Sequence, residues 1–235
     1  MIQSYKKKPI LSNSYDAIII GSGMGSLATA SILAKEGKKV VVLERHYTAG
    51  GFTHIFKRKG YEWDVGIHYI GEVQRKNSAV RKLFDYVTDS KLEWEDMGEV
   101  YDKIIIGNKQ YDFVKGTDNF KKNLYQYFPD EKEAIDGYID LIFLSVKKSL
   151  KFYMSKAIPS WLFALVGAKM QKPFFEYSDQ TTYEVISSLT KNEELLKVLC
   201  GQYGDYGLPP KHSSFAMHAS VVRHYLSGGS FPIGG

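Results

Sequence analysis

The chain contains 235 residues, of which 44% are hydrophobic and 24% are charged, and its formal net charge is +5. This composition is typical of a globular protein with a sizeable core and argues against an intrinsically disordered chain. The 31 basic residues are scattered and accompany no nucleic-acid-binding module, so their charge favours an anionic cofactor or membrane surface over DNA or RNA.

Residues 1–14 are predicted to be a polar lead-in that lacks the apolar core of a cleavable signal. The apolar runs elsewhere in the chain are too short for a membrane-spanning helix, which needs about 20 apolar residues. Cys200 is the only cysteine, which excludes an internal disulfide and suits a reducing compartment. We therefore expect a cytoplasmic protein that is at most peripheral on a membrane.

Residues 15–71 are predicted to form a Rossmann-like nucleotide-binding unit. Apolar, β-branched runs predict a strand at 15–20 and a second strand at 40–43 that ends in Glu44, and helical spacing covers 27–37 between them. The turn after the first strand is rich in glycine and consists of Gly21, Ser22, Gly23, Met24, Gly25 and Ser26. Strand, glycine turn, helix and strand within about thirty residues form the pattern of a dinucleotide-binding site.

The chemistry of a bound dinucleotide explains this spacing. Gly21 lets the chain leave the strand in a tight turn, and Gly23 lets the backbone approach a pyrophosphate that the helix N-terminus attracts. The Glu44 carboxylate would accept hydrogen bonds from ribose hydroxyls and would disfavour a 2′-phosphate. Ser26 stands where the pattern has a third glycine, so we expect a slightly wider approach of helix and strand, with the site retained.

A second glycine pair, Gly50–Gly51, follows Glu44 and Arg45 and would allow another close backbone approach to a diphosphate. The next segment, 60–71, contains four further candidate site residues, which are Asp64, Gly66, His68 and Tyr69. The glycine pair resembles the second flavin-binding motif of the FAD-containing amine oxidase and phytoene desaturase superfamily. The 60–71 segment is similar to the retinol saturase and carotenoid isomerase branch of that superfamily.

Residues 72–235 are predicted to form part of a substrate or cap region that returns toward the FAD domain at its C-terminal end. Spacing predicts a helix at 77–86 and strands at 92–95, 100–106 and 111–114, with a turn at Gly107–Asn108. The expected fold class is therefore α/β, a Rossmann-like βαβ unit with an attached α+β region, and an incomplete domain.

Further helices are predicted in the second half of the chain. They cover about 129–156 and 213–226, and capping-box spacing begins two more, at Thr181 with Glu184 and at Thr190 with Glu193. The Gly201–Pro210 segment is rich in Gly and Pro and is predicted to be an ordered loop.

An apolar segment at 160–166, around Trp161, has lysines on both sides. It has two interpretations: a peripheral membrane-contact element, or a core helix with a solvated rim.

The segments around 202–210 and 224–235 also resemble the retinol-saturase-like family. The resemblance implies that the chain is the N-terminal half of a flavoenzyme and would not turn over alone. It further implies non-covalent FAD, with NAD or NADP as a candidate reductant, and an apolar polyene substrate, a retinoid or carotenoid. Saturation, desaturation and isomerisation of the polyene are all compatible with this reading.

His68, and after it Tyr69, is the candidate proton donor beside the flavin, because a histidine can titrate near neutral pH. The alternative is that His68 only positions the backbone or the flavin edge. No histidine or cysteine spacing suggests a metal site.

Two other functions stay open at this point. A flavin-free lipid escort of the GDP dissociation inhibitor type shares the superfamily fold, although Glu44 and the glycine pair would then have little purpose. An amine oxidase of the same architecture has similar glycine motifs, although the 60–71 and 201–210 segments point to the polyene branch.

Overall fold

The computed structural model describes residues 14–234. They form two compact units: the first holds the described chain up to Glu95 and again from Phe231, and the second holds Asp96–Ser230. The first unit mixes short strands and helices, and the second is mostly helical with one long antiparallel hairpin. A Rossmann-like βαβ unit with an attached α+β region, as predicted, is confirmed.

The first unit begins with the predicted strand, helix and strand. β1 (Ala17–Ile20) and β2 (Val40–Leu43) are parallel neighbours, and α1 (Met24–Lys35) connects them. Gly37, with a φ of 77°, allows the chain to turn back after the helix. Because the strands are parallel, their carboxyl ends meet at one edge, where the glycine turn and Glu44 both lie.

A short hairpin follows that the sequence did not predict. After a 3₁₀ turn at Gly51–Thr53, β3 (Ile55–Arg58) pairs antiparallel with β4 (Tyr61–Asp64). Every residue of β4 is exposed, so the strand lacks the alternation by which a half-buried strand is recognised. α2 (Ala79–Val87) comes next, and the Ser78 hydroxyl caps it by accepting the Arg81 N–H at 3.0 Å.

One face of the parallel pair is uncovered among the described residues. Ile18 and Ile20 of β1 are 63% and 86% exposed, and α1 has no fully buried residue. Parallel sheets are normally covered on both faces. This face is therefore open to further packing.

The second unit is built on a hairpin and six helices. A short strand, β5 (Trp94–Asp96), precedes the hairpin of β6 (Val100–Ile106) and β7 (Lys109–Val114), whose turn is at Gly107–Asn108 as predicted. The helices are α3 (Thr117–Tyr127), α4 (Lys132–Ser155), α5 (Ser160–Ser178), α6 (Thr182–Leu189), α7 (Glu193–Leu199) and α8 (Phe215–Tyr225). A last short strand, β8 (Ser230–Pro232), pairs with β5, and two of the three residues of each of these strands belong to the first unit.

The core of the second unit lies between α4 and α8. Ile135, Ile139 and Ile142 recur at helical spacing on α4, and α8 contributes Phe215 and Val222, all at most 3% exposed. This apolar face is the one that the spacing predicts for a helix over 129–156. Among residues 14–234, no helix is long and apolar enough to cross a membrane.

The two predicted capping boxes have different outcomes. At Thr181 the box is confirmed, because its hydroxyl accepts the Glu184 N–H at 3.1 Å and the Glu184 carboxylate accepts the Thr181 N–H at 2.8 Å. At Thr190 the prediction is wrong: Asn192 caps α7. The Thr190 hydroxyl instead donates to Glu131 at 2.8 Å, a partner 59 residues away. The predicted loop at 201–210 contains a 3₁₀ helix, Gly201–Asp205.

His218 of α8 is buried between two tyrosines. Its Nε2 lies 2.8 Å from the Tyr138 hydroxyl and its Nδ1 lies 3.0 Å from the Tyr206 hydroxyl. Burial lowers the pKa of His218 from 6.5 to about 3, because no solvent remains to stabilise the imidazolium. The ring is therefore neutral at physiological pH, with one nitrogen donating and the other accepting.

This burial makes stability pH-dependent in a defined direction. In the unfolded chain the histidine binds a proton below pH 6.5, whereas in the folded chain it does so only near pH 3. The stabilisation is present above pH 6.5 and is lost as the pH falls toward 3, with a slope of about 1.4 kcal/mol per pH unit for one proton. Denaturant unfolding of wild type and His218→Gln across this range measures it.

The His218→Gln variant is expected to be less stable at neutral pH but to lose stability less steeply on acidification. The other titrating groups are common to both proteins and cancel in the difference. Parallel pH profiles for the two proteins would contradict the buried neutral histidine.

Candidate dinucleotide-binding site

The glycine turn between β1 and α1 has the conformation that its sequence predicts. Gly21 has a φ of 90°, and its N–H donates to the Leu43 carbonyl at 2.7 Å. Gly23 begins α1 without a side-chain cap. A Cβ built at Gly21, Gly23 or Gly25 would meet no atom within 4 Å, so open space lies in front of the backbone. An uncapped helix N-terminus beside open space is suited to an anion.

Glu44 accepts three hydrogen bonds, two of which come from Ser22 and hold the carboxylate against this turn. Its Oε2 accepts from the Ser22 hydroxyl at 2.6 Å and the Ser22 N–H at 2.8 Å, and its Oε1 accepts from the His46 N–H at 2.6 Å. These bonds, the Ser22 hydroxyl first, lower the pKa of Glu44 from 4.5 to about 2. The carboxylate is thus ionised at neutral pH and keeps acceptor capacity for a further hydroxyl donor.

Ser22 connects Glu44 to the second glycine pair. Its side chain is 2% exposed, and its hydroxyl donates to Glu44 while accepting the Gly50 N–H at 3.1 Å. The same N–H also lies 3.1 Å from the Ser22 carbonyl. We call these three residues, Ser22, Glu44 and Gly50, the serine node. Ser22 is predicted from the sequence only as a member of the turn, because its partners Glu44 and Gly50 are 22 and 28 residues away.

Gly51 packs directly on the glycine turn. A Cβ at Gly51 would lie 3.0 Å from the Gly23 Cα, and Gly51 has a φ of 59°. Both the close approach and the left-handed backbone favour glycine at this position. The structure thus shows a close approach of backbone to backbone at Gly51, and the approach of Gly50 and Gly51 to a diphosphate stays a prediction.

The residue after the glycine pair reaches the 60–71 segment. Phe52 covers Gly66, where a Cβ would lie 3.0 Å from the Phe52 side chain, and the Phe52 carbonyl accepts the Ile67 N–H at 3.2 Å. One loop thus joins the glycine turn to the segment that begins at Asp64. Phe52 is not among the residues predicted for the site, although its position directly after two glycines was a usable signal.

The candidate proton donor lies at the surface of this segment. His68 Nδ1 is 3.6 Å from Asp64 Oδ2, and the two side chains are 64% and 42% exposed. Tyr69 adjoins it in sequence. The serine node and the pair of Asp64 and His68 are thus on successive parts of one unit, and the role of the pair stays a prediction.

The remaining candidate residues lie in or beside the glycine turn. Met24, Gly25 and Arg45 are exposed beside the turn and Glu44, and Ser26 is half-buried in the first turn of α1. Cys200 is buried, and burial raises the pKa of its thiol to about 12, so it is not a nucleophile. Among residues 14–234, no group of three or more His, Cys, Asp or Glu side chains is placed to hold a metal ion.

Comparison with known proteins agrees with this geometry. The model of the NAD(P)-binding Rossmann-like domain matches residues 19–87. All-trans-retinol 13,14-reductase of Danio rerio is 38% identical over 94% of the chain, and an inactive all-trans-retinol 13,14-reductase of the same organism is 31% identical over all of it. Prolycopene isomerase 1 of an Oncidium hybrid is 28% identical over 94% of the chain. The chain spans 37%, 41% and 39% of these relatives.

Solved structures agree on the fold. An oxidoreductase from Methanosarcina mazei has a TM-score of 0.52 at 18% identity, over 92% of this chain and 44% of that one. A putrescine oxidase has a TM-score of 0.50 at 16% identity, over 87% of this chain and 40% of that one. Over the part of their length that it spans, the chain is therefore similar to all-trans-retinol 13,14-reductases and prolycopene isomerases, and it shares the fold of the two solved structures.

Proposed function

We propose that the chain supplies the part of an FAD-dependent oxidoreductase that binds the adenosine diphosphate end of the cofactor, and that the whole protein acts on C=C bonds of a conjugated polyene lipid. The observation that carries the cofactor proposal is the serine node beside the open glycine turn. The substrate class is supported by relatives named for all-trans-retinol and prolycopene.

The residues present fit the adenosine diphosphate end of FAD. The uncapped N-terminus of α1 and the glycines at 21, 23 and 25 would hold the pyrophosphate, since no side chain fills the space before them. Glu44 would accept a ribose hydroxyl and would repel a 2′-phosphate. FAD and NAD therefore suit this site better than NADP.

Asp64, Gly66 and His68 would hold the flavin end of the cofactor. When bound, the flavin supplies hydride transfer to or from the polyene. The Asp64 carboxylate beside Nδ1 would orient the His68 ring and leave Nε2 to deliver a proton to the other carbon of the double bond, where negative charge develops when its neighbour receives the hydride. Tyr69 is the second candidate for that proton.

A nicotinamide cofactor, NAD or NADP, is the reductant. The protein is cytoplasmic and contacts a membrane peripherally around Trp161, because its substrate is a lipid. The chain alone does not catalyse the reaction, since it spans 37% of the length of the Danio rerio all-trans-retinol 13,14-reductase and leaves one face of its parallel strands uncovered.

The activity is tested in a protein of the relatives' length that contains this chain. Purified with FAD and supplied with a reductant, it would be offered retinoids, carotenoids and amines in parallel. We expect a change in a polyene and no oxidation of any amine. Amine oxidation without change to a polyene would favour the amine oxidase alternative, and lipid binding without retained flavin would favour the escort.

The Glu44→Ala substitution is expected to weaken ADP binding by roughly tenfold to a hundredfold, because charge-assisted hydrogen bonds are lost. ADP is the probe because it is the part of FAD that this chain would hold. Calorimetric titration of the 235-residue chain measures the affinity. Glu36→Ala, a change of an exposed carboxylate at the end of α1, is the control and should leave the affinity unchanged. Equal affinities for wild type and Glu44→Ala would mean that the ribose lies elsewhere.

Ser22→Ala should also weaken ADP binding, by roughly twofold to tenfold, because the node loses one neutral hydroxyl. The double variant with Glu44→Ala should lose less than the sum of the two single losses in binding free energy, since both changes break the same hydrogen bond. The same titration measures all four proteins. Additive losses would contradict the coupling of Ser22 to Glu44.

A further inference from the structure

Large apolar side chains are exposed where α4 ends and α5 begins. Trp161 and Leu165 of α5 are 68% and 76% exposed, and Leu150, Tyr153 and Met154 of α4 are 60%, 58% and 54% exposed. Scattered exposed apolar residues are normal, but five large ones on two successive helices, within residues 150–165, indicate a candidate interaction surface. We call these five residues the apolar tip.

The packing of α4 on α5 explains the exposure. Lys148 pairs with Glu176, the rings of Phe152 and Phe174 stack at 4.1 Å, and Gln171 donates to the Ser155 hydroxyl at 2.9 Å. The last residue of α4 thus lies beside position 171, which is eleven residues, or about 16 Å, from the start of α5. The first half of α5 extends beyond the end of α4.

The extended half of α5 buries very little. Within 160–170 only Gly167 is buried, and its cover is the Phe163 ring of the same helix, 2.7 Å from where a Cβ would lie. A core helix would bury a stripe of large side chains. The core-helix interpretation of this segment therefore fails for its first half.

The charges around the tip have one sign. Between Asp140 and Glu176 there are six lysines and no acidic residue. Lys148 is the one that pairs with Glu176, and the other five are exposed, namely Lys147, Lys151, Lys156, Lys169 and Lys172. An anionic surface is the partner that this distribution attracts.

The order of residues along α5 matches a water–lipid interface. Trp161 and Leu165 are followed on the same helix face by Lys169 and Lys172, at steps of four, four and three residues. Lys169 lies about 6 Å along the axis from Leu165, and its long side chain can reach further. The apolar end can enter the headgroup region while the lysines stay at the phosphates.

We infer that the first half of α5, with the end of α4, docks on an anionic membrane surface as a monotopic element that does not cross the bilayer. The partner is a lipid surface with negatively charged headgroups. The inference deepens the membrane contact included in the proposed function and rests on it, but it does not rest on the flavin chemistry. ADP binding, whose proposed site lies in the first unit, therefore reports separately on the cofactor proposal.

The test is flotation of the 235-residue chain with vesicles of phosphatidylcholine, with and without phosphatidylserine. Wild type is expected to float with the anionic vesicles and to bind them less at high salt. Trp161→Ser/Leu165→Ser should lower partitioning by about tenfold or more, and Lys169→Gln/Lys172→Gln by about fivefold for each lysine.

Matched controls keep the test specific. Ile105→Ser changes an apolar side chain of the second unit that is also 68% exposed, and Lys103→Gln/Lys122→Gln changes two exposed lysines of that unit. Both should partition as wild type does. A second readout is quenching of tryptophan emission by brominated lipid, in which the conservative variant Trp161→Phe identifies the share of the signal that comes from Trp161.

Four results would overturn the inference. The first is no flotation of wild type with anionic vesicles, and the second is flotation that the controls lose and the tip variants keep. The third is a concentration-dependent oligomer that Trp161→Ser/Leu165→Ser dissociates, without vesicle binding, because a second copy would then cover the tip. The fourth is loss of vesicle binding in a protein of the relatives' length, because the additional chain would then cover it.

Discussion

The hydrogen bonds from Ser22 to Glu44 are the constraint on which the rest of the first unit depends. They join the glycine turn after β1 to the carboxylate after β2, across 22 residues of chain. Through the Gly50 N–H the same serine holds the second glycine pair, and Phe52 carries the connection to Gly66. A buried hydroxyl that both donates and accepts thus fixes the relative positions of three segments, each of which is short and locally exposed.

Much of this unit was predictable because its determinants are local. Neighbouring residues in the sequence determine the two β-branched strands, β1 and β2, and the left-handed backbone at Gly21. The contacts of Ser22 were not predictable, since a serine in a glycine turn has the same local pattern whether or not a distant carboxylate meets it. Thr190 is a second case in which a distant partner decides the outcome. Its spacing to Glu193 fits a helix cap, but its hydroxyl donates a hydrogen bond to Glu131.

The apolar segment around Trp161 could not be resolved from sequence for a related reason. Periodicity states which residues share a helix face but not whether another element covers that face. The register of α4 on α5, set by Ser155 against Gln171, leaves the first half of α5 uncovered. The sequence alone shows that residues 141–175 contain no acidic residue. This absence indicates an anionic partner only because the structure shows the lysines exposed near the apolar tip.

The central claim is that the glycine turn and the serine node hold the adenosine diphosphate end of a dinucleotide. Amide resonances of the isotope-labelled chain, followed while ADP is added, test the location directly and without any substitution. The account predicts that the amide signals of residues 22–26 and of Gly50 and Gly51 shift together, with one affinity. Shifts confined to residues of the second unit, or no shifts at saturating ADP, would contradict it.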